Sequence, residues 1–568
     1  MTRIPAVPAL AAILAVAACQ SAPPPSPPAP FEIVEATIPE MRQAMEDGRL
    51  TSHQLVEQYL ARMGMYEDLL NATISVNPHA LEEADARDRE RAEGHVRGPL
   101  HGIPIALKDN IHTTNMPTSG GALAFEGYVP PYAATLTENL EAAGAIIIAK
   151  TTLSELAGYV AGAPTSAPGN YNAVAGHGFN PFDPRKDPRP GTFDGRPALS
   201  PAGSSSGTGT SANLWAANVG TETSGSILGP SNAAMLAAVK PTIGRVSRWG
   251  VIPLTADQDT AGPMARTVTD AAILLGALEG ARPDPNDPAT TRCEPPPNRD
   301  YTAFLKADAL KGARIGIPRA FYYDPVTLPF DKEPRGGLNP NQQAAMEEAI
   351  AVLKAQGAEV VDVDIPSVVD PDPDKNLTGW NFCGSANQTH GHDTDCTIVV
   401  KYGVKRDFNT WLGTLGDSAP VKTLTELREW NLAHRDANAI RYNQSRLDIS
   451  DDVDLERDKA RYEADRAKDL ALAATNGIDA ALEAHQLDAL FFPGAGSAGI
   501  AARPGYPSVA VPFALIPNEP TPPFPEGFNA KPAPYGVTFT AGACSEPRLL
   551  AFAYAFEQAT KKRVAPLP

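Results

Sequence analysis

The chain has 568 residues, 43% hydrophobic and 20% charged, and its 66 acidic against 48 basic residues give a formal charge of −18. An acidic excess of this size excludes a nucleic-acid footprint, which needs clustered positive charge; the length allows one large enzyme domain or two to three average ones. The 46 Gly and 56 Pro residues are just under a fifth of the chain, too little for general disorder and enough for many long ordered loops.

The first segment reads as a targeting signal. Arg3 supplies positive charge, and Ala9 to Ala18 is an apolar run too short to span a bilayer as a mature helix. It ends in Val16-Ala17-Ala18-Cys19, which resembles the lipobox of bacterial lipoproteins, where the cysteine is lipidated and becomes the new N-terminus. An ordinary signal peptide cleaved at Ala-Val-Ala is the alternative. Gln20 after the cysteine resembles outer-membrane sorting in Gram-negative cells, and Pro23 to Pro30 reads as a polyproline-type tether. The expected organisation is a signal over 1–18, a tether over 19–34 and one folded body over 35–568. The expected location is a Gram-negative envelope, with the lipid at Cys19 holding the protein on a membrane, facing the periplasm. No other stretch is long and apolar enough to cross a membrane.

Thr37-Ile38-Pro39-Glu40 and Thr51-Ser52-His53-Gln54 both read as capping boxes, and Leu55, Val56, Tyr59, Leu60 and Met63 then recur at helical spacing. Short apolar runs bounded by Gly or Pro follow: Ile103 to Leu107, Ala145 to Ala149, Arg314 to Ile317, Val360 to Val363, Ala489 to Phe492 and Ser508 to Val511. Helical stretches alternate with them, the pattern of an α/β protein with a buried mixed sheet and a single core. Gly158 to Pro201 and Asp284 to Pro297 read as irregular insertion and crossover, and Asp451 to Lys468 as a charged, solvated helix face. Cys383 and Cys396 close a short loop that a disulfide could bridge, but pairing among Cys293, Cys383, Cys396 and Cys544 does not follow from sequence. His390-Gly391-His392-Asp393-Thr394-Asp395-Cys396 is the one metal-like cluster; without a second spaced pair it reads as a polar loop.

The richest chemistry lies between Ala202 and Ala238. Gly203-Ser204-Ser205-Ser206-Gly207 is followed by Gly220-Thr221-Glu222-Thr223-Ser224-Gly225-Ser226-Ile227. Dense small residues let backbone approach a ligand closely, and serines among free amides offer both a nucleophile and oxyanion donors, which acyl transfer needs. A flexible linker is excluded because Ala212 to Val219 and Ile227 to Val239 are apolar, and no P-loop lysine follows.

These runs resemble the amidase signature, as do Lys240-Pro241-Thr242-Ile243-Gly244-Arg245-Val246-Ser247 and Asp259-Thr260-Ala261-Gly262-Pro263-Met264-Ala265-Arg266. Upstream, Gly102-Ile103-Pro104-Ile105-Ala106-Leu107-Lys108-Asp109-Asn110 resembles the strand that carries the family's lysine; Gly505-Tyr506-Pro507-Ser508 and Ser545-Glu546-Pro547-Arg548-Leu549-Leu550 resemble its closing segments. The resemblance covers about residues 35 to 565, and the Gly-Thr-Glu-Thr variant looks closest to the branch that includes bacterial peptide amidases. It implies the amidase signature fold, a large mixed sheet with helices on both faces. It also implies a Ser–Ser–Lys triad, with Ser226 as nucleophile, Ser204 as relay and Lys108 as base. The amides of Thr223, Ser224, Gly225 and Ser226 would form the oxyanion hole, and no metal or organic cofactor is called for. The substrate would be a small-molecule or peptide amide, hydrolysed to the acid and ammonia or an amine through acyl-Ser226. Lys108 serves as a base near neutral pH only if burial lowers its pKa, and its apolar strand supplies such a setting.

Three departures from the family pattern stand out. Ser204 lies 22 residues before Ser226, two fewer than the pattern, which leaves Ser204 preferred over Ser205 and Ser206. The stretch between Lys108 and Ser204 is long, with the extra residues in the Gly158 to Pro201 region, expected near the site entrance. Glu222 replaces a more usual Asp. A rival reading takes Ser205 as the centre of G-x-S-x-G, the nucleophile elbow of α/β-hydrolases, with His434 or His485 as partner; it leaves Lys108 and the segment around Ser226 unexplained.

Overall fold

Both capping boxes form. Thr37 accepts from the Glu40 amide while the Glu40 carboxylate accepts from the Thr37 amide, starting the helix Ile38–Glu46. Thr51 and Gln54 do the same for Ser52–Leu70. The computed structural model describes residues 1–2, 31–192, 194–201 and 207–566; the lipobox with Cys19, and Ser204, Ser205 and Ser206, lie outside them.

The strands are β1 (Thr73–Val76), β2 (Pro104–Lys108), β3 (Ile146–Thr151), β4 (Tyr171–Asn172), β5 (Gly176–His177), β6 (Ala217–Glu222), β7 (Ala237–Lys240), β8 (Thr260–Ala265), β9 (Arg314–Pro318), β10 (Glu359–Val363), β11 (Ala489–Pro493), β12 (Ser508–Ile516) and β13 (Ala533–Thr540). Eleven of them form one mixed sheet in the order β1-β3-β2-β6-β8-β7-β12-β13-β11-β9-β10, and β4 and β5 pair separately. All six apolar runs singled out above are strands of this sheet. Third from one edge, β2 runs parallel to β3 and β6, with Leu107 opposite both Lys150 and Val219, while β8 runs antiparallel to β6. The fold is the α/β amidase signature architecture.

Alternate strand residues serve two covered faces. Ala237 and Val239 of β7, and Ala489 and Phe491 of β11, join the largest apolar cluster with the helices Ile38–Glu46, Val268–Leu278 and Glu546–Thr560. On the opposite face Ala238 packs with Ile227, Leu236 and Met264, and Leu490 and Phe492 pack with Leu472, Ile478 and Ile500. The largest cluster runs from Ile33 to Phe556, so the first and last described elements share one core. Among the described residues no helix is long and apolar enough to cross a membrane.

The charged 451–468 stretch is not one helix. Helix Ser445–Asp451 ends, and Lys459–Leu470 begins after a turn. Asp454 accepts from the amides of Glu456 and Arg457, and Asp458 accepts from that of Asp454. These short carboxylates offer the backbone an alternative to helical bonds. The 158–201 insertion is mostly irregular but pinned: Arg185 pairs with Asp183 and lies over Phe528, and Arg189 pairs with Asp187 and lies over Phe524.

Two disulfides form, Cys383–Cys396 and Cys293–Cys544, so the 390–396 cluster is the closed polar loop. Asp393 in that loop pairs with Lys401, and among the described residues no group of three His, Cys, Asp or Glu is placed to hold a metal ion. Cys293–Cys544 ties the Pro-rich crossover to the start of the C-terminal helix across 251 residues. Closing a loop of that length restricts the unfolded chain by about 5 kcal/mol on a chain-entropy scale. The double variant C293S/C544S is therefore expected to unfold at lower temperature and denaturant concentration than the parent, by more than C383S/C396S, whose loop spans 13 residues; unfolding followed by circular dichroism checks the order.

Candidate active site

Three buried lysines stand near the carboxyl ends of strands that run in one direction: Lys108 on β2, Lys150 on β3 and Lys240 on β7. That edge is where open α/β sheets bind ligands. Lys150 sits 3.4 Å from Asp109 and donates to Thr118 at 2.7 Å. Lys240 donates to the carbonyls of Ala501 and Tyr506. Lys108 donates to Thr221 on β6, to the carbonyl at 3.2 Å and to Oγ1 at 2.7 Å. Asp109, next to Lys108 in sequence, faces the other way, toward Lys150 and Ser119, as strand alternation requires.

Burial disfavours an ammonium, and all three lysines are pulled down, Lys150 and Lys240 to about 8 and Lys108 to about 7. For Lys108 desolvation dominates, while the charges of Asp259 and Glu222 pull the other way. Near neutral pH a large fraction of Lys108 is the free amine, so the apolar strand gives the depressed basicity expected from sequence.

Thr221 leads directly into the loop with Ser226. Its Oγ1 also accepts from Asn110 Nδ2 at 3.0 Å. Thr223 donates to Asp259 Oδ1 at 2.5 Å, and Asp259 Oδ2 accepts from the amides of Leu254 and Thr255. Burial raises the Asp259 carboxyl to about 6. Glu222 accepts from the amides of Ile227 at 2.7 Å and Leu228 at 2.9 Å, so the longer carboxylate does serve structural bonds. Loop 223–226 is thus clamped at both ends. Gly225 at φ +96° makes the turn between them, a backbone conformation side-chain-bearing residues rarely adopt.

Thr223, Ser224 and Ser226 line a cavity of about 260 Å³. Across it stand Gly158 and Tyr159 from the insertion, Asn381 and Phe382 beside the Cys383–Cys396 bridge, and Arg446. Of the 158–201 insertion, its first two residues line the cavity among the described residues. Lys108 stands behind the loop, joined to it through Thr221. His434 stacks on Trp430, and neither it nor His485 lines this cavity.

Sequence reasoning assigned no part to Thr221, Asn110 or Asp259. Thr221 and Asp259 lie in segments quoted for their resemblance, yet their partners, Lys108 and Thr223, are set by strand register and the path of a loop rather than by proximity in sequence.

The α/β sheet carries a buried amine joined to a glycine-turned serine loop that opens on a cavity. The chain belongs to the amidase family, whose model matches residues 54–550, and it is a hydrolase acting on amide bonds. A probable amidase of Arabidopsis thaliana is 32% identical over 544 residues, covering 94% of this chain and 92% of the relative. The native peptide amidase of Stenotrophomonas maltophilia superimposes with a TM-score of 0.77 at 35% identity, covering 94% of this chain and 99% of that one. An amidase family protein of Bacillus anthracis superimposes with a TM-score of 0.76 at 29% identity, covering 94% and 93%.

Holding Lys108 near pKa 7 against an ordinary 10.5 costs the folded state up to about 5 kcal/mol at about 1.4 kcal/mol for each pH unit. The cost is complete below pH 7, where folded and unfolded chains are both protonated, and fades as pH rises toward 10.5. K108M, which keeps the volume and removes the charge, is expected to unfold above the parent temperature at pH 6, with the gap narrowing toward pH 10; paired melts across pH check this.

Proposed function

We propose that this amidase hydrolyses a carboxylic or peptide C-terminal amide to the acid plus ammonia or an amine, through an acyl-Ser226 ester. In this reading neutral Lys108 is the base and Ser204 the relay: Lys108 takes the Ser204 proton, Ser204 takes that of Ser226, and Ser226 attacks the carbonyl. The amides of Thr223, Ser224, Gly225 and Ser226 receive the developing oxyanion. The proton returns through Ser204 to the departing nitrogen, and water then frees the acid. The observation that carries this is the buried Lys108 amine, held at about 7 and bonded to Thr221, which runs into the loop that places Ser226 in a cavity. A lysine of ordinary basicity could not accept a serine proton at neutral pH. The likeness to a peptide amidase at 35% identity supports peptide amides among the substrates.

S226A and K108A are each expected to lower kcat/KM for amide hydrolysis by roughly a thousandfold or more, and mass spectrometry of a quenched reaction should find acyl-Ser226. The parent kcat/KM should rise with pH through about 7 and then level off, because the amine is the active form and is lost on protonation. Retained hydrolysis in both variants would overturn the assignment.

For location, we propose a Gram-negative envelope protein anchored by a lipid on Cys19, on the strength of Val16-Ala17-Ala18-Cys19 and the proline tether. Labelled palmitate fed to cells making the full chain should enter the protein, and C19S should abolish that labelling and release the protein from membranes.

A further inference from the structure

The cavity that Ser226 lines has a positive charge balance among its described lining residues. The cavity is lined by two arginines, and none of its described lining residues is a carboxylate. Arg503 is matched by Asp469 at 3.1 Å. Arg446 donates to two uncharged backbone oxygens, Gly158 at 2.7 Å and Gly384 at 3.3 Å. Its guanidinium lies 5.6 Å from the Tyr159 ring and 5.4 Å from the Phe382 ring. Burial lowers its pKa, and the neighbouring Tyr159 phenol is neutral, its own pKa raised by burial. Arg245 is met by Glu279 and Glu546, Arg248 by Asp287 and Arg563 by Glu35, whereas Arg266, like Arg446, donates to backbone carbonyls, those of Thr210, Trp215 and Ala36.

The geometry around Arg446 is built rather than incidental. A Cβ on Gly162 would meet the Gly384 carbonyl at 1.8 Å and one on Gly384 the Phe382 ring at 2.7 Å, so both glycines permit the close packing of the segments that surround the guanidinium. The two rings and two carbonyls fix the plane of the guanidinium, and a planar fork of donors matches a carboxylate in two-point fashion. A cation enclosed with no ion-pair partner among the described residues favours a ligand that supplies one.

Resting on the reading of Ser226 as nucleophile, we propose that the amide cleaved here carries a free carboxylate on its acyl portion, received by Arg446. Arg446 is then a specificity-determining residue: it selects the substrate and takes no part in proton transfer.

The test compares adipic acid monoamide with hexanamide, which differ by a carboxylate at the far end. The parent should favour the acid by about tenfold or more in kcat/KM, the scale of a charge-assisted hydrogen bond. R446Q, which retains an N–H donor for the backbone carbonyls, should bring that ratio close to one, and R446K should restore part of it. If R446Q fails to fold, the parent ratio and R446K decide. Equal turnover of both amides by the parent, or an unchanged ratio in folded R446Q, overturns the role of Arg446 and leaves Ser226 untouched. If neither amide is turned over, the Ser226 reading falls for such substrates, and calorimetric titration of adipic acid monoamide into S226A and S226A/R446Q decides separately. Equal affinity there overturns the proposal; weaker binding to the double variant supports it.

Discussion

The site depends on one amine taken out of water. Lys108 ends a strand buried on both faces, with the parallel neighbours β3 and β6 on either side. Its hydrogen bonds to Thr221 tie the ends of β2 and β6 together. Parallel strands covered on both faces are apolar along their length, so a lysine at their carboxyl edge inherits a low-dielectric setting. The same register that buries it brings it to the strand that leads into the serine loop. Depressed basicity and position therefore have one cause, and a change that rehydrated this edge would alter both.

The carboxylates nearby shape the loop without cancelling that effect. Glu222 and Asp259 are both buried and both favour a charged Lys108, yet each is committed to backbone amides, Glu222 to Ile227 and Leu228, Asp259 to Leu254 and Thr255. Their lone pairs hold the ends of loop 223–226, and burial moves the Asp259 carboxyl up to about 6 while it brings the amine down to about 7. Lys150 shows the contrasting arrangement. With Asp109 at 3.4 Å it stays at about 8, a buried pair that binds β3 to the segment after β2.

Strand identity was legible where side chains are large and apolar, β-branched in Ile146-Ile147-Ile148 and aromatic in Leu490-Phe491-Phe492. It was hidden where function and close packing demand small residues. β6 reads Ala-Asn-Val-Gly-Thr-Glu, and β8 contains Gly262 and Pro263 in the middle of the sheet. Gly262 is small because a Cβ there would lie 2.2 Å from the Val239 carbonyl of the adjoining strand; proline inside a strand argues against strand in any local reading. The same limit applied to the site. Lys108 and Ser226 stand in local motifs, whereas Thr221 acts across 113 residues and Arg446 faces Gly158 from 288 residues away, relations that only the folded register creates.

The two halves of the cavity are held by different physics. The serine side is backbone, set by sheet register, a left-handed glycine and buried carboxylates. The opposite side is loop, and loops drift unless tied. Here Cys383–Cys396 closes the segment that presents Phe382, the Tyr159 and Phe382 rings flank Arg446, and Arg446 returns bonds to the backbone of both segments. These ties do not touch β2 or β6. The wall can therefore change in shape and charge through substitution while the amine keeps its burial, which is how one sheet edge can retain its chemistry as the set of amides it admits is altered.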